Sequence, residues 1–285
     1  MFQESAEGLG IFKKQYRTDA SIGDLAPTVC RLCGLPAPDR SGGIPIAEVV
    51  DHAGKLMDGD GRTEKVLLFC ADALGESQRE HYTADFEKIQ QTAGIRILAS
   101  AVMPSVTPVC YGTIFTGASP TIHGIQQYEK PVIKIETIFD VFAKHGKNVA
   151  IVSVNGCSID KIFRERAIDY YSFRTDEQSF RCTRELMIRP DYDLIVCYMT
   201  GYDAVMHKTG PFSEAAAEQA HLAAERFAQL AADMDVHWKK FHRVLAFVPD
   251  HGGHAVDETH GAHGSNTPED MLVNHYYRIR SRETD

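Results

Sequence analysis

Four short apolar runs punctuate the chain, at 66–70, 149–152, 194–197 and 244–248, and each is continuous rather than alternating. Continuous runs of four or five residues rich in Val, Ile and Leu predict strands buried on both faces. Helical periodicity fills the intervals. The clearest case follows Pro211, where Ala223, Phe227, Leu230, Met234 and Trp238 recur at spacings of three and four and would lay an apolar stripe against a sheet. Strands alternating with helices predict a parallel, doubly wound α/β sandwich. In such sheets ligands bind at the carboxyl ends of the strands. Residues 41–61 are rich in Gly and Asp and read as containing a loop; with no repeat or low-complexity tract, one domain over 1–285 is expected.

Polar residues follow these runs in a telling pattern. Asp72 comes after the first strand, Asp203 after the third, and Asp250-His251 after the fourth. Any one of them alone reads equally well as a turn or capping residue. Together they would crowd like charges into one crevice, which requires a cation or a shared proton. Asp203 and His207 stand one helical turn apart and can face one ion. Asp250-His251 precedes Gly252-Gly253, a pair that lets the backbone bend sharply. A further imidazole is available from His260 or His263. Mixed Asp and His ligands suit zinc or manganese better than calcium or magnesium. Among thirteen histidines, His52, His81, His221 and His242 read as ordinary surface or packing residues.

Thr107 reads as a helix N-cap, with Pro108 at the first helical position and Gly117 as the stop. A hydroxyl there meets backbone N–H groups and the positive end of the helix dipole, which also favour a phosphoryl group. Beside bound cations it becomes a candidate nucleophile.

Size and charge narrow the partners. At 285 residues with 44% hydrophobic content the chain can bury one large core. Thirty basic against 39 acidic residues give a net charge of −9, which repels nucleic-acid polymers and anionic membranes. No apolar stretch is long enough to span a bilayer and the first residues lack a signal-peptide pattern, so a cytoplasmic location is expected. Seven scattered cysteines indicate free thiols, and Cys30-Arg31-Leu32-Cys33 fits a helix better than a redox or zinc pair.

Asp72, the 107–117 segment, Pro120-Thr121-Ile122-His123-Gly124, Asp203 with His207, Asp250-His251-Gly252 and His263-Gly264 occur in an order that resembles the alkaline phosphatase superfamily, most closely its type I phosphodiesterase and nucleotide pyrophosphatase branch. The likeness spans about residues 65 to 271. It implies an alkaline phosphatase-like three-layer sandwich with a mostly parallel central sheet. It also implies two divalent metals, zinc or alternatively manganese: one held by Asp203, His207 and His263, the other by Asp72, Asp250, His251 and the Thr107 oxygen. Thr107 would form a phosphothreonine on a small phosphate ester, a phosphodiester or nucleotide pyrophosphate; a phosphomonoesterase and a catalytically silent metal-binding relative are the alternatives. His263 is preferred over His260 because residues 264–271 continue the family pattern.

Two features depart from that pattern. Cys110 stands where nucleotide pyrophosphatases have an Asn that binds a phosphoryl oxygen, so substrate binding there would rest on a weaker thiol donor. Cys110-Tyr111-Gly112-Thr113 lacks the Pro and Arg that mark a sulfatase cysteine. Residues 22–36 resemble the segment that normally closes such proteins, so a circular permutation is expected, with residues 20–36 beside the strand near 273–279. Tyr128, Tyr202 and Phe212 could stack on a base or simply pack, and Lys130, Lys208 and His123 could approach phosphate oxygens.

Overall fold

The four apolar runs form the middle of an eight-stranded sheet in the computed structural model, which describes residues 2–57, 61–189 and 191–283. Its strands are β1 (Ala20–Ser21), β2 (Lys65–Ala71), β3 (Ile95–Ser100), β4 (Val149–Val154), β5 (Asp169–Phe173), β6 (Leu194–Met199), β7 (Arg243–Phe247) and, after a small hairpin of β8 (His254–Ala255) and β9 (Gly261–Ala262), β10 (Leu272–Arg280). The order is β1-β3-β10-β7-β2-β6-β4-β5. Only β10 runs against the others, so β2, β3, β6 and β7 all open at the same edge.

β2 shows why the runs are continuous. Val66, Leu68 and Cys70 face one apolar cluster, and Leu67, Phe69 and Ala71 face the other, so every residue needs an apolar side chain. Helices Leu25–Leu32, Thr107–Thr116, Ile138–Lys144 and Ser158–Ile162 cover the first face. Helices Thr83–Ala93, Asp176–Ile188 and Glu214–His237 cover the second, giving three layers. The predicted stripe of the last helix is buried throughout, from Ala223 to Trp238, whose indole donates to the Met187 carbonyl at 3.1 Å. Truncating fully buried Phe227 to Ala would cost about 3–5 kcal/mol.

Cys30 lies inside the Leu25–Leu32 helix and Cys33 at its C-terminal cap, and all seven cysteines are free thiols. Burial pushes Cys30 up to about 12, which makes it a packing residue rather than a redox group. Residues 20–36 lie one strand away from β10: Ala20 pairs with Ala99, whose other neighbour is Val273. Leu25 and Val29 belong to the same apolar cluster as Val273, Tyr277 and Ile279. No helix among the described residues is long and apolar enough to cross a membrane.

Candidate active site

Each parallel strand delivers its polar residues to the common edge. Asp72 directly follows β2, and Thr200 leads from β6 into the helix Gly201–Thr209, which presents Asp203 and His207. Past β7 the chain turns through Asp250 and His251 and returns through β8 and β9 to His263. Gly252 serves this turn through space rather than through a left-handed conformation: a Cβ there would run into the Glu269 carbonyl and Gly75.

Two clusters result, Asp203 with His207 and His263, and Asp72 with Asp250 and His251. In the first, the Nε2 atoms of His207 and His263 each lie 3.3 Å from Asp203 Oδ1 and 3.1 Å from one another. In the second, His251 Nε2 lies 3.5 Å from Asp72 Oδ1 and 3.3 Å from Asp250 Oδ2. The stacked rings of His251 and His263, 4.0 Å between centroids, join the two. Thr107 Oγ1 stands 3.4 Å from His251 Nε2.

The hydrogen bonds around the clusters decide what they can hold. Each ligand-type ring turns its Nδ1 to a carbonyl: His207 to Gly261 at 3.0 Å, His251 to Gly252 at 2.8 Å, and His263 to Ser105 at 3.0 Å. Nδ1–H is therefore the donor, and all three Nε2 lone pairs face inward. Asp72 Oδ1, Asp203 Oδ1 and Asp250 Oδ2 are buried without a hydrogen-bond partner among the described residues. These are the same oxygens that face the Nε2 atoms. Lone pairs opposed at such distances are repulsive unless a cation or proton lies between them. The donor set fits two divalent cations, one at each cluster.

Without a cation, protons take these places. Burial, and then the charges of Asp250 and Asp203, push Asp72 well above the ordinary carboxylate range, although the Tyr198 hydroxyl opposes this by donating to Asp72 Oδ2. Burial likewise pushes Asp250 up to about 7. Burial alone would raise Asp203, but once His207 and His263 carry a proton on Nε2 as well, their bonds to it outweigh burial and hold the carboxyl low. The bond to Asp203 raises His207 in turn, whereas burial and the neighbouring His263 ring push His251 down to about 3.

Thr107 departs from the expected cap. Val106, extended at φ −127° and ψ 147°, occupies the capping position, and Thr107 and Pro108 are the first two helical residues. No side-chain capping bond forms, so the Thr107 hydroxyl is available to the second cluster, and Gly117 ends the helix at φ +67°. Cys110 is fully buried, its thiol 3.9 Å from the Val102 carbonyl, and burial raises its pKa strongly. A substrate oxygen could reach that thiol only by displacing its packing.

Other candidates separate cleanly. His260 sits in an exposed turn against Asp257, 3.1 Å away, and takes no part in either cluster. His123 is buried over Gly112, its Nε2 3.1 Å from the Thr113 hydroxyl, and burial lowers it to about 4, so it is a neutral packing residue. Tyr202 donates to the Pro211 carbonyl and Phe212 packs on His81. Sequence reasoning missed two braces. Tyr198 is a buried strand tyrosine, and its need for a hydroxyl partner was the available signal. Asp270, also fully buried, accepts from His254 Nδ1 at 2.7 Å and from Ser265 N at 2.8 Å, while its carbonyl accepts from Gly252 N at 2.9 Å. It thereby ties the turn after His251 to the segment after His263.

With this geometry established, comparison with known proteins is decisive at the level of family. Residues 66–282 match the model of the type I phosphodiesterase/nucleotide pyrophosphatase family. The chain belongs to that family. Type I phosphodiesterases and nucleotide pyrophosphatases are hydrolases of phosphate-ester bonds, and the strand-edge clusters lie inside the matched region. No curated protein matches the chain. Among solved structures, phosphonoacetate hydrolase from Sinorhizobium meliloti 1021 in complex with phosphonoformate is similar at TM-score 0.52 and 19% identity, over 70% of this chain and 60% of that one. Murine ectonucleotide pyrophosphatase/phosphodiesterase 5 in complex with AMP is similar at TM-score 0.55 and 16% identity, over 68% and 59%. The C-terminal periplasmic domain of phosphoethanolamine transferase EptC from Campylobacter jejuni is similar at TM-score 0.55 and 12% identity, over 76% and 80%. The alignments thus span about 60% of the length of the first two relatives, and at these identities they establish a shared fold.

Proposed function

We propose that this type I phosphodiesterase-family chain is a two-metal phosphohydrolase that cleaves phosphodiester or nucleotide pyrophosphate bonds through Thr107. One observation carries the reading: three unpartnered buried carboxylate oxygens and three inward imidazole lone pairs surround two points, with a threonine hydroxyl at the margin of one. Asp203, His207 and His263 would hold one divalent cation; Asp72, Asp250, His251 and the Thr107 oxygen would hold the other. When bound, zinc or manganese would supply the positive charge that acidifies a hydroxyl and neutralises phosphoryl oxygens in a protein of net charge −9.

The chain's own residues do the rest. The helix Thr107–Thr116 fixes Thr107 Oγ1 beside the second cluster, so attack on phosphorus needs little reorganisation. The Thr107 oxygen forms a bond to phosphorus as the ester oxygen departs, and the hydroxyl proton ends on the leaving alcohol or phosphate. Water then cleaves the phosphothreonine and restores the hydroxyl. Tyr198 and Asp270 hold the surrounding groups in register.

The test pairs bis-p-nitrophenyl phosphate with p-nitrophenyl phosphate, each with zinc or manganese, using wild type and Thr107→Ala. Preferred turnover of the diester, lost in Thr107→Ala, is the expected result. Preferred turnover of the monoester would replace the reading by a phosphomonoesterase, and unchanged activity in Thr107→Ala would refute the nucleophile. Metal binding without turnover of either ester, or of phosphonoacetate, would identify a silent relative.

A further inference from the structure

We propose that Asp176 is a positioning residue that caps, from a separate helix, the N-terminus of the helix carrying Asp203 and His207. The inference rests on the two-cluster reading and deepens it. Helix Gly201–Thr209 starts abruptly, one residue after β6 ends at Met199. Its capping residue Thr200 is in a helical conformation, φ −102° and ψ −9°, and forms no side-chain cap of its own. The orphan donors at this end turn instead to a single carboxylate. Thr200 N lies 3.2 and 3.0 Å from Asp176 Oδ1 and Oδ2, Gly201 N lies 2.7 Å from Oδ2, and the Thr200 hydroxyl lies 3.2 Å from Oδ1.

Asp176 is not needed to start its own helix. That role belongs to Thr175, whose side chain accepts from Gln178 N. Its negative charge sits at the positive end of the Gly201–Thr209 dipole, the favourable arrangement for an anion. The junction is also tightly fitted, since a Cβ on Gly201 would press on Asp176 Oδ2 and the Gln219 side chain. Asp203 follows Gly201 by two residues and carries the unpartnered oxygen of the first cluster, and His207 follows one turn later. Asp176 thus sets both the axial position and the rotation of the helix that supplies two of three ligands to one cluster. Among the described residues its hydrogen bonds go to Thr200 and Gly201 and to no ligand of either cluster, so it reaches the site through this one helix.

That asymmetry distinguishes positioning from general structural support. Metal content is measured on the full chain equilibrated in zinc buffered to a free concentration at which wild type holds two equivalents. With free zinc set about tenfold above the wild-type Kd, Asp176→Ala is expected to lose between about half and most of one equivalent, with affinity at the Asp203 cluster falling roughly 10–100-fold and the other site changing less than about threefold. Asp176→Asn, which keeps one acceptor oxygen, should show a smaller loss at the same site and serves if the alanine variant fails to fold. Adding Asp176→Ala to His207→Ala should remove no further metal, because both act on one site. Retention of two equivalents by Asp176→Ala, equal weakening of both sites, or loss of all metal from the double variant would each overturn the assignment. Wild type holding fewer than two equivalents at saturating zinc would instead overturn the two-cluster reading, and this inference with it.

Discussion

Stripping the protein of divalent cations and returning them tests the physical core of the site without relying on any substrate. Three buried carboxylate oxygens without partners destabilise the metal-free fold, and each cluster should bind one cation. At a free metal concentration of about 100 times Kd, each site adds about 2.7 kcal/mol, or about 5 kcal/mol for two. Unfolding entropy of roughly 2.1 cal/mol/K per residue gives about 0.6 kcal/mol/K for 285 residues, so Tm should rise by about 9 °C. For Asp250 the dependence on pH has a definite sign. In the metal-free protein Asp250 titrates at about 7 rather than its ordinary 3.8, so the native state binds more protons across that window. The contribution of Asp250 to the stability of the metal-free fold is therefore fully present below about 3.8 and is lost as pH rises through about 7, while Asp203, held low, and His251, pushed down to about 3, contribute in the opposite direction. Metal affinity runs against the Asp250 contribution, because ligands must lose protons to bind, and it should weaken as pH falls below about 7. Calorimetry of chelator-treated protein at pH 5 and pH 8, with and without zinc, measures both trends. Asp203→Asn should halve the metal-induced rise at pH 8. No rise with zinc or manganese, or an undiminished rise when Asp203 and Asp250 are both replaced by Asn, would refute the assignment of these carboxylates.

Further expectations concern single side chains. Thr107→Ala should lower kcat/KM by about 10³-fold or more while both metal equivalents stay bound, since its hydroxyl lies at the edge of the second cluster; mass spectrometry of quenched turnover mixtures should find a phosphorylated chain only when Thr107 is present. Tyr198→Phe removes the hydrogen bond to Asp72 Oδ2 and should weaken metal binding at the Asp72 cluster by about 10–100-fold, as read by chelator competition. Asp270→Ala orphans Ser265 N and His254 and should cost about 1–3 kcal/mol in denaturant unfolding, with a lower metal affinity at the cluster containing His263. Cys110→Ala should leave KM within about threefold and native Cys110 should resist alkylation, because the thiol is buried with its pKa raised; a tenfold rise in KM would restore a direct substrate contact.

The sequence conveyed some of this and withheld the rest for physical reasons that differ by residue. Continuous apolar runs mark β2, β4, β6 and β7 because those strands are covered on both faces, and the strand-end rule then points to Asp72, Asp203 and Asp250. β3 and β10 carry charged or polar residues among their apolar ones, for instance Arg96 and Asn274, so the same pattern search passes over them. At Thr107 the gap between reading and structure is a single residue, but its consequence is chemical: with Val106 in the capping position, the hydroxyl is not spent on the helix. The partner of Tyr198 could not be read because the sheet brings Asp72 to it from 126 residues away, and those of Asp176 and Asp270 because loop and helix geometry, not spacing, selects them. A list of ligand-type side chains does not reveal whether their lone pairs converge. That depends on the carbonyls of Gly261, Gly252 and Ser105, which fix the imidazole tautomers and have no sequence signature at all. A binding-competent site and a decayed one could therefore share every ligand residue and differ only in these backbone contacts, so the orientation of Nδ1, more than the presence of histidine, supports a functional reading of this chain.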